Sequence, residues 1–206
     1  ESSTCKRVWI DETYIEYAGS EHSLESFAVQ SENVIVCKSM SKVYALSGLR
    51  AAYLCASPHQ LEELKVITPP WSVSLPAQIA ATYALHANDY YALRYRETKD
   101  LREKLVQELS VMGITEIIPG IANFVMFHLP ETMDTAETIV KTCRERGLFL
   151  RNVAGMGSGV GRRAMRMAVK DEETNNRMLD IFRNALNQFN SIPRRDEIRE
   201  PIFTSY

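Results

Sequence analysis

The chain contains 206 residues, of which 45% are hydrophobic and 24% are charged, and its formal net charge at pH 7 is -2. This composition is typical of an ordinary globular protein with one large domain or two small ones. The near-neutral charge gives no electrostatic reason to expect nucleic acid as a partner, and no apolar run is long enough to span a membrane. The four cysteines and four histidines are dispersed, which argues against a disulfide framework or a metal site and favours the reducing cytoplasm.

The N-terminus has no initiator methionine and leads directly into the apolar residues 8–10. We interpret it as the start of a piece of a larger protein, so that the lack of a targeting peptide carries no information about location.

The first predicted elements are two short strands, each followed by polar side chains. Residues 8–10 predict a buried strand that ends at Asp11, and residues 34–37 predict a second buried strand. An acidic residue after such a strand lies at its carboxyl end, where open α/β sheets bind their ligands. A turn or helix-cap aspartate is the alternative interpretation of Asp11.

The segment 39–50 follows the second predicted strand and carries two serines, a lysine and an arginine. Hydroxyl groups and a guanidinium suit a phosphate, and a lysine amine beside them can form a Schiff base with a phosphorylated aldehyde cofactor. The alternative is a polar loop whose lysine faces water. A third strand is predicted over residues 49–55.

The rest of the chain alternates helices and strands, which predicts an α/β or α+β fold. A domain boundary is predicted near residue 95, which gives domains 1–95 and 96–190 and a loosely held tail 191–206. Helices are predicted from Ser57-Pro58, over 75–85, 88–109 and 135–146, and from Asp171 to about Phe189. Strands are predicted over 114–118, 123–129, 148–151 and 164–169.

Asp11 and Lys42 each follow a predicted strand, so they can converge at one edge of a sheet. A carboxylate for a pyridinium nitrogen, a lysine that forms an imine, and Ser39, Ser41 and Arg50 for a phosphate together describe a pyridoxal phosphate site.

The same residues carry a resemblance to a known family. Residues 11–17 and the pattern from Ser39 through Ser41-Lys42 to Leu46, Gly48 and Arg50 resemble the signature blocks of fold type I pyridoxal phosphate aminotransferases. The branch that the chain resembles best is the histidinol-phosphate aminotransferase family, and the resemblance extends to about residue 190. Further matching blocks lie at 69–74, 122–125, 149–151 and 165–169.

The resemblance implies roles for six residues around the cofactor. Lys42 is the Schiff-base lysine, Asp11 pairs with the pyridine nitrogen, and Tyr14 contacts the phenolic oxygen. The cofactor phosphate is held by Ser39, Ser41 and Arg50.

It also implies three residues on the substrate side. Arg166 binds the substrate α-carboxylate, Arg151 reaches a distal phosphate, and Asn123 lines the site. A strand-edge cap is the alternative for Asn123, and Arg162 or Arg163 would take the place of Arg166 if the alignment shifts by a few residues.

The chain departs from the family pattern in four places. Thr13 stands where the family usually has alanine, and Ala51-Ala52 stand where the family has a glycine after the arginine. The glycine-rich loop 155–161 lacks the Gly-Lys-Ser/Thr ending of a nucleotide-binding loop. The N-terminal half, which supplies the rest of the cofactor site, is absent from this sequence.

The fold implied is α/β, the C-terminal part of the fold type I large domain followed by a small α+β C-terminal domain. The expected reaction is amino transfer between an amino acid or amino-alcohol phosphate and 2-oxoglutarate, by a homodimer in the full-length form. No nucleic acid or membrane partner is expected. The alternatives are a related threonine-phosphate decarboxylase and a non-catalytic piece that serves as an interaction domain.

Overall fold

The computed structural model describes residues 7–132, 135–157 and 159–190. The predictions for Cys5 and for the tail from Ser191 fall outside the described residues, as does Ser158 in the glycine-rich loop. The chain divides into two compact units, the first ending at Lys99 and the second beginning at Asp100.

In its described residues, unit 1 contains a small sheet, four helices and short 3-10 turns. Its strands are β1 (Val8–Asp11), β2 (Val34–Ser39) and β3 (Ala52–Cys55). Its helices are α1 (Glu25–Gln30), α2 (Pro58–Ile67), α3 (Leu75–His86) and the first half of α4 (Asn88–Val111). The 3-10 turns are Ile15–Tyr17, Ser20–His22 and Ser47–Leu49.

The sheet of unit 1 has the order β1-β2-β3, with β1 parallel and β3 antiparallel to the central strand β2. The central strand is buried as predicted, since Ile35 and Val36 are inaccessible to solvent. The prediction of a buried first strand is wrong, because Val8 and Trp9 are 41% and 50% exposed. β1 is an edge strand of this sheet, so only part of its surface is covered.

The third strand begins later than predicted. Residues Ser47–Leu49 form a 3-10 turn, and Arg50 adopts a left-handed backbone conformation with φ of 55°. A residue in that conformation cannot continue a strand, so β3 starts only at Ala52.

Two predicted helix starts in unit 1 are confirmed. Ser57 precedes α2 with Pro58 in the first turn, and Ser74 precedes α3. The Ser74 Oγ accepts a hydrogen bond of 3.4 Å from the Ala77 amide, which satisfies one of the free N–H groups at the helix start.

Unit 2 packs helices against an antiparallel sheet of order β4-β5-β7-β6. Its strands are β4 (Ile117–Ile118), β5 (Phe124–His128), β6 (Arg151–Asn152) and β7 (Ala164–Ala168). Its helices are the second half of α4, α5 (Ala136–Glu145) and α6 (Glu172–Asn190), and a 3-10 turn spans Ala154–Met156. Phe127 and Phe182 lie at the centre of its core, with ring centroids 5.7 Å apart.

Two strands of unit 2 begin later than predicted, for a local reason in each case. The Leu148 amide donates to the Cys143 carbonyl over 2.9 Å and so completes the end of α5, which leaves only Arg151–Asn152 to pair in the sheet. The Ile114 amide likewise donates to the Leu109 carbonyl at the end of α4, and β4 is confined to Ile117–Ile118.

The long helix predicted over 88–109 is confirmed as α4, and it is buried over only part of its length. Leu105 and Leu109 are buried and Leu101 packs against the same core, whereas Leu93 is 42% exposed. No helix within the described ranges has the length and apolar character to cross a membrane.

Candidate active site

The lysine segment is a tight turn directly after β2. Met40 and Val43 are buried and anchor the turn, while Lys42 is exposed between them. The Met40 amide donates to the Ala51 carbonyl over 3.1 Å, and the Leu46 amide donates to the Met40 carbonyl over 3.0 Å. The backbone that carries Lys42 is therefore fixed from both sides of the turn.

Two hydroxyl groups flank this turn and lie close together. The Oγ atoms of Ser39 and Ser41 are 2.8 Å apart, and the Ser41 amide donates to the Ser39 Oγ over 3.4 Å. Arg50 lies at the end of the same segment, where its Nη1 donates to the Ser47 carbonyl over 3.1 Å. Hydroxyl groups and a guanidinium are donors that suit a phosphate, and this segment carries both.

Asp11 ends the neighbouring parallel strand. Its Cα is in register with Cys37 of β2, and the Glu12 amide continues the ladder by donating to the Cys37 carbonyl over 3.0 Å. Asp11 and the lysine segment therefore follow the carboxyl ends of adjacent parallel strands, where open α/β sheets place ligands.

The side chain of Asp11 is oriented by Thr13. The Asp11 Oδ1 accepts a 2.9 Å hydrogen bond from the Thr13 amide and a second from the Thr13 hydroxyl. Thr13 thus adds a donor that the family's usual alanine could not supply. Tyr14 is half-buried at the start of the next 3-10 turn, where its carbonyl accepts from the Tyr17 amide over 3.2 Å.

A buried ionic cluster beneath these residues was missed by the sequence analysis. Lys38, the residue before Ser39, is only 4% exposed. Its Nζ lies 2.7 Å from Glu16 Oε1, 3.3 Å from Glu12 Oε2 and 3.6 Å from Glu25 Oε1. The Tyr53 hydroxyl donates to the same Glu25 oxygen over 2.8 Å. One signal was available: a lysine in a buried strand needs a carboxylate partner, and two glutamates follow β1.

The environment shifts the pKa values of two members of this cluster. Burial raises the pKa of the Glu12 carboxyl, but hydrogen bonds from the Leu24 amide, the Ser23 hydroxyl and Lys38 outweigh it, so the pKa lies below its ordinary value. Burial lowers the pKa of Lys38, yet its carboxylate partners, Glu16 foremost, bring the net pKa above its ordinary value. Both groups are therefore ionised at neutral pH.

The residues present fit the chemistry of pyridoxal phosphate on the side that this chain supplies. An exposed amine, a carboxylate with one oxygen used by Thr13, and the hydroxyl pair match the aldehyde, the ring nitrogen and the phosphate respectively. Among the described residues no group of three His, Cys, Asp or Glu side chains is placed to bind a metal ion.

The predicted substrate residues lie together in the sheet of unit 2. Arg166 of β7 is directly opposite Arg151 of β6, and its guanidinium lies over the Phe124 ring, 4.7 Å from the centroid. Its chain neighbours Met165 and Met167 are fully buried, so Arg166 projects from the face opposite the core. Asn123 precedes β5 and its carbonyl accepts from the Val169 amide over 2.9 Å.

The alternative arginines at the start of β7 are less suited to a substrate. Arg163 is already used within the fold, since its Nη1 donates to the Leu129 carbonyl over 3.1 Å and its Nη2 lies 3.7 Å from Glu131. Arg162 lies outside the strand and is exposed. Of these candidates Arg166 alone lies in β7 opposite Arg151.

Comparison with known proteins connects this site to a family. The family model described as aminotransferase class I and II matches residues 4–182. A histidinol-phosphate aminotransferase of Rhodopseudomonas palustris (strain BisA53) is 28% identical over 183 residues, which are 87% of this chain and 49% of that protein. A histidinol-phosphate aminotransferase of Archaeoglobus fulgidus is 30% identical over 88% of this chain and 51% of that protein. The chain thus spans about half the length of the curated relatives it matches.

Solved structures are similar in fold over most of the chain. The histidinol-phosphate aminotransferase from Clostridium acetobutylicum has a TM-score of 0.80 and 23% identity, over 88% of this chain and 55% of that one. The L-threonine-O-3-phosphate decarboxylase from Porphyromonas gingivalis has a TM-score of 0.72 and 21% identity, over 89% and 55%. The histidinol-phosphate aminotransferase from Sinorhizobium meliloti, solved with pyridoxal-5'-phosphate, has a TM-score of 0.74 and 23% identity, over 89% and 48%.

Proposed function

Because the chain belongs to the class I and II aminotransferase family, we propose that it forms the lysine-bearing part of an enzyme that transfers an amino group from an amino acid or amino-alcohol phosphate to 2-oxoglutarate. The observation that carries this proposal is the turn after β2, where Lys42 stands exposed beside the Ser39 and Ser41 hydroxyls. Asp11 ends the adjacent parallel strand.

The family and fold predictions are confirmed by these matches. The structures that share the fold are fold type I enzymes of this family and its relatives, and this chain covers about half of each. The cofactor of the family is pyridoxal phosphate, and its binding by this chain is part of the proposal.

Six residues of unit 1 have a role in the proposed reaction. Pyridoxal phosphate, when bound, supplies the electron sink that stabilises negative charge at the substrate Cα. Lys42 would hold the cofactor through its aldehyde, and its amine, when free, would move the proton at the substrate Cα. Asp11 would hold a proton at the ring nitrogen and Tyr14 would donate to the phenolic oxygen, while Ser39, Ser41 and Arg50 would bind the phosphate.

The arginine pair of unit 2 supports a substrate with two anionic groups. Like charges directly opposite each other in a sheet are unfavourable, so the Arg151–Arg166 pair has a cost that bound anions would offset. In the proposal Arg166 binds the α-carboxylate through its planar guanidinium and Arg151 binds a distal phosphate. Asn123 is proposed to line the same side.

Decarboxylation is the second candidate reaction, because the fold is shared with a threonine-phosphate decarboxylase. The two reactions break different bonds at Cα, so their products separate them. The purified protein is incubated with histidinol phosphate or threonine phosphate, 2-oxoglutarate and pyridoxal phosphate, and glutamate and carbon dioxide are measured. The proposal predicts glutamate with histidinol phosphate. Carbon dioxide from threonine phosphate without glutamate would establish the decarboxylase. If no product forms, the non-catalytic interpretation is favoured.

A further inference from the structure

The buried cluster around Lys38 has no task in the proposed reaction, yet it connects the two segments that carry the cofactor residues. Lys38 lies on β2 immediately before Ser39, and four residues before Lys42. Two of its partners, Glu12 and Glu16, lie in the segment after β1. The third, Glu25, lies on α1.

The positions of Glu12 and Glu16 give the cluster its significance. Glu12 directly follows Asp11, and Glu16 lies two residues after Tyr14, so the two contacts with Lys38 flank the stretch that carries Tyr14. The backbone ladder between β1 and β2 ends with the Glu12 amide. Beyond that point, the ion pair between Lys38 and Glu16 connects the Tyr14 stretch to β2.

The contact between Lys38 and Glu16 is buried and specific. Their side chains are 5% and 9% exposed, and the second carboxylate oxygen of Glu16 has no hydrogen-bond partner among the described residues. A buried charge pair of this kind is worth little as net stability, but it restricts the geometry strongly because each charge needs its partner.

We propose that Lys38 is a positioning residue which, through Glu16 and Glu12, fixes Asp11 and Tyr14 relative to the turn that carries Lys42. This inference rests on the proposed function, in which Lys38 does not contact the cofactor. Lys38 aligns the ring-binding residues Asp11 and Tyr14 with the segment that carries Lys42 before the cofactor binds. Outer partners have the same role in other preorganised sites.

The test compares two carboxylate partners of the same lysine. Glu16→Ala and Glu25→Ala each remove one carboxylate and leave Lys38 paired with the other two, so neither variant leaves a buried charge alone. Only Glu16 belongs to the stretch that carries Tyr14. Lys38→Arg keeps the positive charge and serves as the conservative variant, whereas Lys38→Met leaves three carboxylates without their cation and is expected to fold poorly.

The first readout needs no cofactor. Amide hydrogen exchange of the peptide that contains Tyr14 is expected to be faster in Glu16→Ala than in wild type, and unchanged in Glu25→Ala. The second readout is the affinity for pyridoxal phosphate, measured by titration. Glu16→Ala is expected to weaken it about tenfold, the lower end of the loss seen on removing outer partners of ordered sites. Glu25→Ala is expected to stay within about twofold and Lys38→Arg within about threefold of wild type, because both keep a cation paired with Glu16.

The outcomes separate this inference from the proposed function. If wild type binds pyridoxal phosphate through Lys42 but the two alanine variants lose affinity equally, the positioning role is overturned and the function stands. Equal exchange rates at the Tyr14 peptide in both variants would overturn it as well. If wild type shows no binding that depends on Lys42, the proposed function and this inference fall together.

Discussion

At the scale of single residues, the chain places charge where a plain structural role does not require it. Arg151 is exposed and directly opposite Arg166, although any neutral side chain would be less costly in that sheet position. Lys38 is buried with three carboxylates, although an apolar residue would suit the central strand. The arginine pair is explained if it binds the anionic groups of a substrate, and Lys38 is explained if it positions Asp11 and Tyr14.

Replacing Arg151 by alanine tests the distal phosphate assignment. We expect the Michaelis constant for a phosphorylated amino donor to rise about tenfold or more, since a charge-assisted hydrogen bond contributes about 1.5–3 kcal/mol. The constant for the same donor without its phosphate should not change, and Arg151→Lys should recover part of the loss. An equal increase for both donors in steady-state kinetics would refute the assignment.

Glu12 predicts a specific dependence of stability on acid. Its folded-state pKa is lower than the ordinary value of 4.5, so it stabilises the folded chain above pH 4.5 and this contribution is lost as pH falls through the folded pKa. We expect the free energy of unfolding in denaturant to decrease below about pH 4.5, and Glu12→Gln to make that decrease smaller. If the stability of Glu12→Gln decreased in acid as much as that of wild type, the lowered pKa that the hydrogen bonds from Leu24, Ser23 and Lys38 give Glu12 would be contradicted.

The stability that Lys38 contributes depends on pH with the opposite sign, and it is lost at the alkaline end. Its folded-state pKa is higher than the ordinary value of 10.5, so its contribution is fully present below pH 10.5 and is lost as pH rises through the folded pKa. Neutral pH therefore lies within the range in which both partners stabilise the fold.

At the scale of elements, one helix end provides a test of backbone geometry. Gly147 follows α5 with φ of 83°, and its amide donates to the Arg144 carbonyl over 3.0 Å. We expect Gly147→Ala to lower the free energy of unfolding by about 1 kcal/mol, because a left-handed conformation is strained for any residue with a Cβ atom. Gly155→Ala is the matched control.

Gly155 has the same open surroundings as Gly147, because a Cβ atom at either position meets nothing within 4 Å. Unlike Gly147, it has no positive φ. Its substitution by alanine should leave the free energy of unfolding unchanged or slightly increased. Equal losses in the two variants, measured in denaturant, would mean that the left-handed conformation is not the cause.

Local signals in the sequence predicted most elements, and non-local contacts explain the errors. Ser57-Pro58 and Leu75-Pro76 identify helix starts because a proline in the first turn acts locally. Residues 148–151 predicted a strand, but Leu148 completes the cap of α5. The exposure of Trp9 depends on which strands lie beside β1, which the residues of β1 alone do not specify.

At the scale of the whole molecule, the spacing of the predicted strands was enough to bring Asp11 and Lys42 to one sheet edge. The family, and with it the fold, was predicted from the resemblance of residues 11–17 and 39–50 to known signature blocks. Neither the spacing nor the resemblance was enough to predict the Lys38 cluster, since the pairing of Lys38 with Glu25 depends on how α1 packs beneath the sheet. The chain spans about half the length of its curated relatives, and the assigned roles concern the part that it contains.

The central claim is that Lys42 is the amine that binds pyridoxal phosphate, and a spectroscopic titration tests it most directly. Wild type, Lys42→Ala and Lys65→Ala are each titrated with pyridoxal phosphate while the visible absorbance of the lysine-bound cofactor is recorded. Lys65 is the control, because it is exposed on α2 and paired with Glu62. We predict that the band forms in wild type and in Lys65→Ala and is absent in Lys42→Ala. A band of equal strength in Lys42→Ala, or no band in wild type, would contradict the claim.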